Sequence, residues 1–249
     1  VTAWLREDAP VLDVTPMLRP ERAAFLELLG SLSPDDWERP TECPAYDVKG
    51  VAAHVLGDDL SLLSRQRDRA TNSLVLMAEE MPGAEFSAIL DAFNDRWVST
   101  ARFVSTALLI DLLAFSGDRT ATFYESVDLT APCEPVFFFG SQGELSPYWQ
   151  AIAREYAERW VHHSQILRAL GSPSLADDQF VRTGVAVVAA AAGADASFDD
   201  GHWSIGPLRL GDPQQTADLL TRRHTGDEIR ALVTGPDAAV DLAVASFGR

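Results

Sequence analysis

The chain of 249 residues holds one lysine, Lys49, and two cysteines, Cys43 and Cys133. Two thiols with no CxxC spacing exclude a disulfide framework, and reduced thiols are the expected state. No window reaches eighteen uninterrupted apolar residues; the best stretch, around Gly184 to Ala194, is short and rich in alanine. A simple membrane-spanning helix is thereby excluded. The sequence shows no positively charged leader followed by an apolar run, so a cytoplasmic location is expected. Glycine-rich phosphate loops of the G-x-G-x-x-G and P-loop kinds are missing, as is a G-x-S-x-G nucleophile elbow. Positive charge is scarce, with 20 Lys and Arg against 37 Asp and Glu and a net charge of −17. That balance argues against nucleic acid or an anionic membrane as partner, since phosphate binding needs basic patches.

What is present is helical pattern. Hydrophobic residues make up 47% of the chain, enough to bury a core. "PERAAFLELLGSL" places Phe25, Leu28, Leu29 and Leu32 at helical spacing, with Pro20 suited to a first turn. Three prolines break "SPDDWERPTECPAYD" into a loop, and Asp47 is placed to cap a helix through "VKGVAAHVLGDDLSLLSRQRD". "FSAILDAFNDRWVSTARFV" is amphipathic, and Ser105 is placed to cap another helix. A helix from about 147 to 170 stops at Gly171 and Pro173. Beyond it, a helix is expected over 179–192, with strands and turns in "HWSIGPLRL" and "EIRALVTG". The expected fold is mainly α, a bundle of four or five helices over 1–172 followed by a small α+β domain over 173–249.

Two histidines stand side by side in "EYAERWVHHSQ", at 162 and 163. Neighbours on a helix point about 100° apart, so both cannot serve one site. Glu155, Glu158, His162 and Gln165 share a stripe, and Glu158 lies one turn before His162. A carboxylate and an imidazole so placed can share a metal ion. His163 has Arg159 one turn back and falls beside the apolar stripe of Trp160, so it is expected to pack rather than ligate. His54 adjoins the interior face of its helix, with Asp58 one turn on to orient it or join the coordination. Together these make a His₂Glu set suited to Zn²⁺ or another divalent ion. Spacing alone also fits a surface Glu–His pair and a hydrogen-bonded core histidine. Cys43 lacks a basic neighbour other than Lys49 and reads as a packed thiol. Arg222 and Arg223 fit either a carboxylate-binding fork or a solvated charge pair.

"LSPDDWERPTECPAYDVKGVAAHVLGDDLSLL" and "WQAIAREYAERWVHHSQILRALG" resemble the two signatures of the mycothiol-dependent maleylpyruvate isomerase family, an actinobacterial type among the DinB-like metal-binding four-helix bundles. The likeness spans roughly 20–172. It implies a metal triad of His54, Glu158 and His162, holding a divalent ion expected to be Zn²⁺, with mycothiol as the thiol cofactor. Asp58 and Gln165 would face the cofactor. In "LLTRR", Arg223 would bind the carboxylate of a substrate. The implied activity is isomerisation or thiol S-transfer on a small electrophile, the metal keeping the thiol ionised for addition. Tyr46 stands where relatives carry larger aromatics, Gln165 where many carry aspartate, and Arg222 where some carry glycine. Those departures leave open a metal- or small-molecule-binding bundle without turnover, or a metal-dependent hydrolase. The sequence does not choose between monomer and homodimer.

Overall fold

The computed structural model describes residue 11 and residues 13–133, 146–172, 196–200, 202–220 and 224–247. The chain is mostly helical, with a small antiparallel sheet in its C-terminal part. Among the described residues no helix is long and apolar enough to cross a membrane. The helix expected over 179–192 lies outside the described residues.

The backbone packs into two units. One comprises Thr15–Val127 and the end of a later helix from His162. Its helices are α1 (Thr15–Gly30), α2 (Val48–Leu62), α3 (Ser73–Glu80), α4 (Phe86–Ala101) and α5 (Thr106–Glu125). The last turns of α6 (Tyr148–Ala169) complete it. Phe25 and Leu29 of α1, Val48, Val51, Ala52, Val55 and Leu56 of α2, Leu109 and Leu113 of α5, and Ile166 of α6 share one buried core with Trp37. Their i, i+3, i+4 spacing is what turns an apolar stripe inward on each helix. The short α3 packs on α4 through Met77, Ile89 and Phe93.

Local chemistry sets the helix ends. Asp47 accepts the Gly50 N–H at 2.7 Å and starts α2, while Ser105 accepts the Leu108 N–H at 3.2 Å and starts α5. Gly171, at φ +78°, takes the left-handed conformation that ends α6. Helix α2 gives way to a single π turn over Leu63–Arg67. Helix α1 starts at Thr15, five residues before the expected proline, so Pro20 lies inside it. The missing N–H there removes one helical hydrogen bond while the following turns stay buried on Phe25 and Leu29.

The described part of the second unit includes the N-terminal turns of α6 and the C-terminal segment. There β1 (Ala196–Asp199), β2 (His202–Ile205) and β3 (Leu208–Arg209) form a meander, with Phe198 opposite Trp203 and Ile205 opposite Leu208. Gly206, at φ +54°, opens the tight β2–β3 turn. Helices α7 (Pro213–Leu220), α8 (Gly226–Leu232) and α9 (Asp237–Phe247) follow. The strand expected in "EIRALVTG" is therefore helical through Leu232. A capping box explains it: Thr225 accepts the Glu228 N–H, and the Glu228 carboxylate accepts the Thr225 N–H at 2.7 Å. Only Thr234 pairs with a strand, exchanging backbone hydrogen bonds with Arg209.

Candidate metal centre

Helix α2 is buried along most of its length, which leaves a narrow polar stripe for His54 and Asp58. One turn apart on that stripe, His54 Nε2 and Asp58 Oδ2 stand 3.3 Å from each other. The His162 ring reaches them from α6, 4.6 Å from the His54 ring centroid and nearly perpendicular to it at 84°. One donor atom from each of His54, Asp58 and His162 lies within 4.8 Å of the others. Donors bound tetrahedrally to Zn²⁺ at its usual bond lengths sit about 3.4 Å apart, so a small inward movement closes the set.

Partners fix how each ring is presented. Gln165, one turn beyond His162, places its Oε1 2.8 Å from His162 Nδ1. An amide oxygen only accepts, so Nδ1 is the donor in that contact, and the His162 ring is held by it. Tyr46 lies roughly parallel to the His54 ring, 6.3 Å between centroids and 23° between planes. Its hydroxyl donates to Asp95 Oδ1 at 3.0 Å. Burial, and then that hydrogen bond to a carboxylate, push the Tyr46 phenol above its ordinary range, so it stays neutral. Behind the turn that bears His54 and Asp58, Trp97 of α4 presses on Gly57, where a Cβ would lie 2.6 Å from the indole Cγ.

The structure thus brings His54, Asp58 and His162 together and sets Gln165 on His162. Glu158, four residues before His162 on α6, is half-buried in the turns that belong to the other packed unit. Glu155, from the same sequence stripe, is buried and paired with Arg154. Arg222 and Arg223 lie outside the described residues. His163 turns away from the centre toward α1, its Nδ1 3.3 Å from Glu21 Oε1 and its ring 5.4 Å from that of Phe25. Elsewhere, His202 donates from Nδ1 to the Asp200 carbonyl at 2.8 Å, and His224 stands 3.8 Å from Glu228.

Two features escaped the sequence reading. Tyr46 was visible only as an off-pattern aromatic; its stacking on His54 depends on how the loop before α2 returns over the helix. A buried polar cluster of Glu21, Arg22, Asp59 and His163 was the other. Its signal was available, since Glu21 and Arg22 fall four and three residues before Phe25, on the face that buries.

Two imidazoles and a carboxylate, one ring held by an amide acceptor, are a donor set that fits a divalent first-row ion. No curated protein and no solved structure matches the chain. The family described as the mycothiol maleylpyruvate isomerase N-terminal domain matches residues 18–167, which take in the whole of α2 and both histidines of the centre. The chain belongs to that mycothiol maleylpyruvate isomerase family.

Proposed function

We propose that this protein is a divalent-metal-dependent, mycothiol-dependent enzyme of the maleylpyruvate isomerase or thiol S-transferase type. The convergence of His54, Asp58 and His162 carries the reading, and family membership supports the thiol. His54 and His162 would hold the ion through nitrogen, with Asp58 and Glu158 as its carboxylates. Glu158 is included because it shares a helix face with His162 one turn away. When bound, the ion supplies Lewis acidity that keeps a thiol deprotonated at neutral pH.

The chain's own groups do the rest. Gln165 keeps the His162 proton on Nδ1, so Nε2 stays a donor to metal. Asp58 offsets cationic charge beside His54. The neutral Tyr46 ring lies roughly parallel to His54 and flanks it with an uncharged aromatic surface. Arg223 is assigned to the carboxylate of a small electrophilic substrate, since its guanidinium fork matches that group. The division expected from the sequence belongs to the same proposal: a metal-binding bundle over 1–172 and an appended α+β domain over 173–249.

Elemental analysis of the purified protein tests the reading. Near-stoichiometric Zn²⁺, lost in His54→Ala and in His162→Ala, is the expected result; wild type that stays metal-free after loading overturns it. A thermal-shift titration with mycothiol then separates the classes. Stabilisation that vanishes with the metal marks a thiol enzyme. Metal uptake with no response to thiol marks the hydrolase or the binding bundle instead.

A further inference from the structure

Helix α1 carries two charged residues in succession, Glu21 and Arg22, that are 2% and 4% exposed. Burying charge is costly unless it is paired, so each needs a partner. Arg22 Nη1 donates to Asp59 Oδ2 at 2.7 Å and to the Leu113 carbonyl at 2.6 Å. Ser116 Oγ donates to the same Asp59 oxygen at 2.7 Å. Helix α5 makes room for the guanidinium at Gly117, where a Cβ would lie 2.7 Å from Arg22 Cγ. Glu21 accepts from His163 Nδ1, and Phe25, one turn on, packs against the same imidazole.

The partners are the telling part. Asp59 directly follows Asp58, and His163 directly follows His162. Successive helical side chains diverge by about 100°, so a residue held toward α1 sends the one before it away at a fixed angle. Both ligand-bearing helices are thus gripped beside their ligands, by adjacent residues of one backbone. A rotation of 20° about a helix axis moves an atom some 6 Å out by about 2 Å. Metal centres tolerate about a tenth of that.

From this arrangement we infer that Glu21 and Arg22 are positioning residues for the metal centre, setting the rotational phase of α6 and α2. The inference rests on the metal reading proposed above. The cluster is poorly made for stability alone. Among the described residues, Glu21 Oε2 and Arg22 Nε and Nη2 are buried without a protein partner. Apolar replacements of such buried pairs are often as stable as the pair itself. Removing the cluster should therefore spare the fold and blur the centre.

Two paired replacements test this in the full-length protein: Arg22→Met with Asp59→Leu, and Glu21→Leu with His163→Phe. Far-UV circular dichroism and apo-protein melting report the fold; Co²⁺ absorption and Zn²⁺ competition report the centre. The expected result is a folded apo-protein whose metal dissociation constant rises about tenfold or more, with an altered Co²⁺ spectrum. Folded variants with wild-type affinity and spectrum overturn the inference. Should a pair fail to fold, Ser116→Ala, which removes one donor from Asp59, decides the matter. A loss of about threefold or more supports the inference, and unchanged affinity and spectrum overturn it. Wild type that takes up neither Co²⁺ nor Zn²⁺ overturns the metal reading and this inference together. Wild type that binds while its variants bind equally well overturns this inference alone.

Discussion

Gln165 is the residue that sets how the His162 ring is presented. An amide oxygen accepts the Nδ1 proton of His162 at 2.8 Å, a task an aspartate would do with a full negative charge. A neutral acceptor would leave the imidazole a weaker donor to the proposed metal and the site less anionic. Gln165→Ala should weaken Zn²⁺ binding about 10- to 100-fold, the usual cost of losing the partner of a ligating histidine. Gln165→Asp should retain binding or tighten it. Competition with a chromophoric chelator measures both, and equal affinity in the Ala variant would show that Gln165 does not orient the ring.

At the level of elements, α2 joins two demands. Its apolar residues fill the shared core, while His54 and Asp58 occupy the remaining stripe. Close approach by α4 is possible because position 57, between His54 and Asp58, has no side chain. Gly57→Ala would gain about 1 kcal/mol of helix propensity. Against that, the new methyl meets Trp97 Cγ at 2.6 Å, and overpacking of this kind costs about 1–3 kcal/mol. The steric cost wins. Denaturant unfolding should show net destabilisation, and metal affinity should fall with it because the displaced turn bears His54 and Asp58, the two donors proposed on α2. A variant as stable as wild type would mean that Trp97 swings aside at no cost.

Across the whole molecule, the excess of acidic groups makes acid the informative perturbation. Several exposed or half-buried carboxylates are held below their ordinary range. Asp36 is lowered by the Ser33 hydroxyl and Asp128 by the Thr130 backbone N–H. Asp68, Glu80 and Glu125 are lowered by hydrogen bonds from Arg67, Arg96 and Arg19. A carboxyl with a depressed folded-state pKa adds stability above its unfolded value, near 4, and loses it as pH falls through the folded value. Each such exposed contact is small and screened by salt. Acidification also relieves the self-repulsion of a chain with net charge −17, which acts in the opposite sense. Relief should dominate from pH 8 to about 5 and loss of the contacts below about 4. Calorimetry of the apo-protein should therefore show a melting temperature that peaks near pH 5 and then drops. A melting temperature still rising at pH 3 would show that repulsion outweighs every paired carboxylate.

By itself the sequence determined the helical class, the caps at Asp47 and Ser105, and the stop at Gly171. Those are local matters: spacing decides which face a side chain occupies, and one capping group decides where a helix begins. Helix-start chemistry was equally local in Thr225 and Glu228, where the capping box outweighs the strand-like run that follows. Tertiary structure alone decided which donors meet. Asp58 joins His54 and His162 because the His162 ring of α6 reaches that turn of α2, and Tyr46 stacks on His54 because a loop folds back. Glu21 and Arg22 read as ordinary charges on a helix until α2 and α6 bring Asp59 and His163 against them. Such encounters depend on the relative rotation of helices far apart in the chain, a quantity that no single helix's pattern contains.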